Sequence, residues 1–352
     1  MVEIANPARV GARPRIIFCT SLTQSRLNVH IVREIVSVLE RQFEVEFLPV
    51  KVLVERDTLS DCAILLYVGS SLSEDVPLAT MSAMARIAGV PCVFWATDDP
   101  YEHDARYRAN DFDVYFSNDL NSTDHYLERA NVFHLPLAAP ASDYRPLSPL
   151  GERRVGMFFC GYPYSCRKRV ISDLLAVPRF SCNELVVMGG EWEVPNLQHL
   201  AGDSDHSKVI DLYSAVQFVL NIGRNYDLAN DHRKLIATTP GPRTFECALA
   251  GTPQIFFVNS LEIEKYYTPD REIILAEGVE EAVERFNWFR DHPDAWSALA
   301  RAAQVRTQKE HLYEHRIVDL LNVLLGIGVL NRSEIPTFYN SGDRESKLLR
   351  FA

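Results

Sequence analysis

Three stretches in the second half of the chain set glycine, cations and a carboxylate at the ends of apolar runs. The first, Cys160-Gly161-Tyr162-Pro163-Tyr164-Ser165-Cys166-Arg167-Lys168-Arg169, follows the apolar run Val155 to Cys160. A glycine at the carboxyl end of a strand lets backbone approach a ligand, and a helix starting just beyond it turns free N–H groups and its positive dipole end to the same place. Arg167, Lys168 and Arg169 add charge that suits a diphosphate, although a solvated basic helix start has the same appearance. Asn221-Ile222-Gly223-Arg224 repeats this logic at the end of another apolar run, where the plain alternative is a surface arginine closing a strand. The third stretch runs from Pro240 to Pro253. Its Pro-Gly-Pro turn leads into a helix whose first turn offers Pro242, Arg243, Thr244 and Glu246, and Gly251 and Pro253 close its far end. A carboxylate at Glu246 is an acceptor for two hydrogen bonds from a ribose diol, or a favourable anion near a helix N-terminus.

The first half carries one comparable feature, the acidic turn Asp98-Asp99-Pro100-Tyr101-Glu102-His103-Asp104 after the run Cys92 to Ala96. Asp98 and Asp99 together are its catalytic candidates: a carboxylate within about 3 Å of an acceptor hydroxyl positions it or takes its proton. An Asx-type turn fixed by Pro100 is the structural alternative. No metal-ligand spacing appears, and the histidines are scattered, so the expectation is that no metal or other cofactor is required, with arginines and helix N-termini balancing phosphate charge. The chain has no Gly-x-Ser-x-Gly elbow and no Walker loop. After the first strand it reads Ser21-Leu22-Thr23-Gln24-Ser25-Arg26, without the glycines of a nicotinamide site, which argues against a dehydrogenase.

These groups need elements to hold them, and the chain supplies a repeated alternation. Strands are expected at Arg15–Thr20, Val45–Val50, Ala63–Gly69, Cys92–Ala96, Val114–Ser117 and Val132–Leu135, with helices at Val29–Gln42 and Leu78–Ala88. Four prolines between Pro136 and Arg154 mark a linker. The alternation then starts afresh, with strands at Val155–Cys160, Glu184–Met188, Phe218–Ile222 and Gln254–Val258. Helices are expected at Arg167–Leu175, Asp211–Ala215, Thr244–Ala250 and Val279–Arg290. The fold class is therefore α/β, two doubly wound domains at 1–145 and 146–330. A terminal helix pair within Asp294–Leu325 is assigned to the second, and 331–352 is a polar tail.

Length and composition agree: 352 residues, 47% hydrophobic and 24% charged, make two separate cores. No apolar run reaches the roughly 18 residues of a membrane span, and Met1 to Pro14 lacks the core of a signal peptide, so a cytoplasmic protein is expected. The 7 cysteines are odd in number and scattered, as reduced buried thiols would be. A net charge of −11 disfavours nucleic acid as a partner. Oligomeric state leaves no trace in the sequence.

The stretch Leu220 to Leu321, with its LNIGR, PRTFECALAG and HLYEHR, resembles the C-terminal domain of the CgeB-like glycosyltransferases, relatives of the spore maturation protein CgeB within the GT-B superfamily. Upstream, FFCGYPYSCRKR looks like that family's strand, glycine loop and basic helix, and WATDDP and LPLAAPASDYRP look like segments of its N-terminal domain. The resemblance implies two Rossmann-like domains facing a cleft, with an acceptor on the first and a nucleoside diphosphate sugar as co-substrate on the second. Gly161, Arg167, Lys168, Arg169, Gly223, Arg224, Pro242, Arg243 and Thr244 would hold the diphosphate, and Arg224 and Arg243 would stabilise it as it leaves. Glu246 matches the second glutamate of the family's Glu-x7-Glu element, which binds the donor ribose; Thr238 stands where the first would be. The resemblance implies retention of anomeric configuration, while the acidic turn could supply the base of an inverting reaction. A sugar-nucleotide epimerase and a non-catalytic nucleotide-sugar binding module are the competing readings.

Overall fold

The computed structural model describes residues 13–21, 29–56, 59, 61–72, 77–126, 131–200, 205–225 and 228–331. The expected tail beyond Asn331 and the segment Leu22 to Arg26 lie outside the described residues. The first domain is a parallel sheet of β1 (Arg15–Thr20), β2 (Glu44–Phe47), β3 (Ile64–Gly69), β4 (Cys92–Ala96), β5 (Val114–Ser117) and β6 (Val132–His134), in the order β2-β1-β3-β4-β5-β6. β3, β4 and β5 are buried at every residue, which is why they read as continuous apolar runs.

Alternate residues feed opposite layers. Ile16, Phe18, Leu66 and Trp95 face α1 (Val29–Glu40), while Ile17, Cys19, Tyr67 and Phe94 share the other core with α2 (Val50–Val54) and α3 (Leu78–Ala88). The short α4 (Leu120–Thr123) is capped by Asp119. Residues 103–109 form a 3-10 turn absent from the sequence reading, as was α2.

The second domain strings β7 (Val155–Cys160), β8 (Leu185–Met188), β9 (Gln198–Leu200), β10 (Val216–Asn221), β11 (Gln254–Phe257) and β12 (Ile274–Ala276) into a second parallel sheet. Its order is β12-β11-β10-β7-β8-β9. Renumbered from its own first strand this is 3-2-1-4-5-6 read backwards, the dinucleotide-binding order, whose direction of winding reverses between β7 and β10. α5 (Ser165–Ala176), α8 (Val279–Asp291) and α9 (Pro293–Glu310) cover one face, and α6 (His206–Ala215) and α7 (Pro242–Leu249) the other. β9 and β12 were not expected: β9 is exposed at all three residues and carries no apolar signal. α6 starts at His206, ahead of the expected Asp211, because Asp205 caps it by accepting from the Lys208 N–H at 2.9 Å.

The terminal helix pair is divided between the domains, which corrects the expectation that both helices belong to the second. α9 stays there through Trp296, Leu299 and Ala300, whereas α10 (Tyr313–Gly326) crosses back and buries Tyr313, Ile317, Leu320, Leu321 and Leu324 in the α1 layer of the first. The HLYEHR segment makes that crossing. Ala139 bonds to both sides of Leu312, and the buried Arg316 donates through Nε to the Pro136 carbonyl at 3.0 Å. Among the described residues no helix is long and apolar enough to cross a membrane.

Candidate active site between the domains

A cleft of about 610 Å³ lies at the reversal point of the second sheet and is walled on its far side by the first domain. Because β7 and β10 send their following helices to opposite faces, the loops after them part, and Gly161 and Gly223 line the gap. Arg167, in the first turn of α5, reaches back across it. Its Nε donates to the Gly223 carbonyl at 3.2 Å and its Nη1 to the Tyr162 carbonyl at 3.2 Å. Arg243, in the first turn of α7, lies over the same Phe159 ring as Arg167, each guanidinium 5.3 Å from its centroid.

A methyl group on Gly161 would lie 3.1 Å from a nitrogen of each arginine, so these nitrogens are no more than 6.2 Å apart (twice 3.1 Å). Any larger residue at 161 would fill the space that the two cations enclose. Gly189, at φ +95°, packs against Gly161 so closely that a Cβ would sit 2.9 Å from its carbonyl oxygen. Burial, with the charges of Arg243 and Arg224 added, pushes the Arg167 guanidinium down to about 10. Neither Arg167 nor Arg243 forms an ion pair among the described residues, and the buried Nε of Arg243 has no hydrogen-bond partner. Cations crowded together at a glycine-lined gap beside two helix N-termini suit an anion chemically, since an anion relieves the repulsion that packing imposes.

Glu246 lies one helical turn beyond Arg243 and lines the same cleft. Its Oε1 accepts from Nε2 of His30, on α1 of the first domain, at 3.2 Å. The His30 ring stacks on that of His206, centroids 3.4 Å apart and 5° from parallel, and His206 Nε2 is held by both oxygens of Asp143 at 2.9 and 2.8 Å. The ligand atoms of His30, His206 and Glu246 lie within 4.8 Å of one another. However, parallel rings aim their Nε2 atoms at different carboxylates, so the group is laid out as two stacked hydrogen-bonded pairs and not as ligands converging on one point.

The acidic turn meets the second domain across the cleft. Arg224 donates to Asp98 Oδ1 at 2.8 Å and stacks 3.7 Å over Tyr101, whose hydroxyl donates to the Arg224 carbonyl at 3.1 Å. Asp119 accepts from the N–H groups of Thr238 and Thr239 at 2.7 and 3.0 Å, fixing the approach to α7. Thr238 thus meets the first domain through its backbone.

Residues 167–322 match the family model described as Glycosyl transferase-like. Sucrose-phosphate synthase from Thermosynechococcus elongatus superposes with a TM-score of 0.63 at 10% identity, over 89% of this chain and 99% of that one. Anabaena HepE, solved with UDP-glucose, gives 0.57 at 14% identity over 90% and 100% of the chains. The chain has the GT-B fold. A UDP-N-acetylglucosamine 2-epimerase also superposes, at 0.50 and 14% identity, over 92% of this chain and 99% of that one. No curated protein matches the chain.

The GT-B cleft gathers Gly161, Arg167, Gly223, Arg224, Pro242, Arg243, Glu246 and Asp98 on its lining. Lys168, Arg169 and Thr244 stand away from it. Lys168 pairs with Glu193 at 2.9 Å and Arg169 is exposed, while the buried Thr244 hydroxyl accepts from Asn221 at 2.8 Å and so ties α7 to β10. Asp98 and Asp99 turn to different partners, Asp98 to Arg224. Asp99 borders the cleft, but its carboxylate turns into the first domain and accepts from Ser117 at 2.7 Å, Tyr126 at 3.1 Å and Tyr115 at 3.3 Å. Residues that the sequence reading missed include His30, His206, Asp143, Gly189 and Gly190. Only the glycine pair carried a signal, since it follows the apolar run of β8.

Burial, with the neighbouring charges of Asp119 and Glu102, lifts the Asp99 carboxyl from 3.8 to about 7. Between about pH 4 and 7 the folded protein therefore keeps a proton that the unfolded chain releases, and this residue's contribution to stability falls as pH rises through that window. Asp99→Asn removes the dependence. The melting temperature of the wild type relative to Asp99→Asn is expected to drop from pH 5 to pH 7.5 and then level off; parallel curves would show that Asp99 does not titrate there.

Proposed function

We propose that the protein is a CgeB-like glycosyltransferase that moves a sugar from a nucleoside diphosphate donor, held by the second domain, to a hydroxyl of an acceptor lying on the first. The observation that carries this reading is the placing of Arg167, Arg224 and Arg243 around the gap between Gly161 and Gly223, with Glu246 on the same cleft wall. In the proposed reaction the diphosphate sits against the N-terminal turns of α5 and α7. As the bond from sugar to phosphate breaks, negative charge grows on the leaving oxygen, and Arg243 and Arg224 stabilise it there. Glu246 takes the ribose hydroxyls. Asp98, bordering the cleft from the first domain, is the acidic-turn carboxylate within reach of the acceptor, and its bond to Arg224 keeps the domains together around the substrates. Closure excludes water, which would compete as acceptor.

With arginines in place of a divalent ion, no cofactor is proposed. The expected result is acceptor-dependent release of nucleoside diphosphate from one member of a panel of sugar nucleotides, undiminished by chelator. Ligand at a hundred times its dissociation constant adds about 2.7 kcal/mol of stability, so a thermal-shift screen selects the donor first. Conversion of the donor with no acceptor present would instead identify an epimerase. Turnover lost in chelator and restored by magnesium would refute the metal-free proposal.

A further inference from the structure

The ribose carboxylate of the second domain is held by a side chain of the first. Glu246 Oε1 bonds to His30 Nε2 at 3.2 Å, while its Oε2 takes no hydrogen bond among the described residues. Since a carboxylate only accepts, His30 must donate from Nε2, which fixes the tautomer with Nδ1 unprotonated or the doubly protonated ring. The imidazole is itself held. It stacks on His206, and His206 is anchored to Asp143 in the segment joining the domains. Four separate parts of the chain therefore converge on one carboxylate: α1, the interdomain segment, α6 and α7. A glutamate has three side-chain torsions, and leaving it free would make its orientation a cost of every binding event.

We propose that His30 is a positioning residue of the donor site. It fixes Glu246 through Oε1 and leaves Oε2 to accept from the ribose, so that the ribose subsite is complete only when the two domains are closed on each other. This rests on the donor-site reading of Glu246 above. It goes beyond that reading in making ribose recognition depend on a side chain of the first domain. Phosphate would meet Arg167 and Arg243, supported by Phe159, Tyr162 and Gly223 of the second domain, and Arg224, supported by Asp98 and Tyr101 of the first; among the described residues none of these supports bonds to His30.

The test uses the full-length chain and calorimetry with UDP, GDP and ADP, the 2′-deoxy counterpart of each, and inorganic pyrophosphate. The wild type is expected to bind one nucleoside diphosphate and to prefer it to its 2′-deoxy form. His30→Ala is expected to bind that nucleoside diphosphate about tenfold more weakly and to lose the preference, as removal of a hydrogen bond to a charged group predicts. Its pyrophosphate affinity should stay unchanged. His30→Gln places an amide N–H where Nε2–H stood and should restore both affinity and preference, which a role in packing alone would not allow. Unchanged ribose preference in His30→Ala, or an equal loss of pyrophosphate binding, would overturn the inference while leaving the donor reading intact. A wild type that binds none of the nucleoside diphosphates would overturn both.

Discussion

Replacing Arg243 by alanine is expected to lower turnover by roughly a hundredfold or more in a protein that remains folded, by analogy with removal of other groups that stabilise charge in a transition state. The expectation follows from how Arg243 is placed. It stands in the first turn of α7 over Phe159, beside Arg167, and its Nε is buried without a partner. A buried cation next to another cation is costly to keep unless an anion arrives, so removing it should not weaken the fold by the amount expected for a paired charge. The guanidinium that remains, Arg167, would be relieved of a neighbouring charge that now helps push it down. Arg243→Lys keeps the charge and loses the planar fork, and should fall between the wild type and alanine. Turnover measured at saturating donor separates this effect from simple loss of binding. A normal turnover number in Arg243→Ala would remove leaving-group stabilisation from its role.

The arginines were legible because their signal is local. A glycine or a helix start at the carboxyl end of a strand is a sequence feature, and the winding of a doubly wound sheet brings such ends together whatever the details. The same rule overcounts when it ignores helical rotation. Arg167, Lys168 and Arg169 are consecutive, so they point about 100° apart around α5, and only one of them can share the face of Ile171 and Leu174. That one is Arg167, four and seven residues before two core positions, a spacing visible in the sequence. Thr244 is misleading for a different reason, since Asn221 occupies its hydroxyl and ties α7 to β10. Asp99 shows another limit: the hydroxyls that capture it come from Ser117, Tyr115 and Tyr126, residues that look like ordinary strand and loop members until the sheet places them beneath the turn. His30 was illegible, because it meets Glu246 across 216 residues of sequence and no local pattern records that contact. The apolar stripe of α10 likewise says that the helix is covered, but not by which domain.

Glu246→Ala is expected to weaken binding of the donor nucleoside diphosphate by about tenfold to a hundredfold, the range set by one or two hydrogen bonds to a charged acceptor. Burial alone would raise the Glu246 carboxyl, but the hydrogen bond from His30 and the charges of His30, His206 and Arg243 outweigh it and hold the group below its usual range. In the proposed site it would therefore meet a ribose as a carboxylate, with Oε2 left to accept and nothing to donate. Glu246→Gln keeps the size and one acceptor oxygen, so its loss should be smaller. The sign of a second measurement separates ribose recognition from general damage to the cleft. Removing a negative charge near Arg243 favours an incoming anion, so inorganic pyrophosphate should bind Glu246→Ala as tightly as the wild type or more tightly. If Glu246 served the diphosphate or only held the fold, both ligands would weaken together; nucleoside diphosphate affinity that falls while pyrophosphate affinity holds or rises is the pattern of a carboxylate that serves the nucleoside beside a phosphate site, and loss of the preference over the 2′-deoxy form assigns it to the ribose.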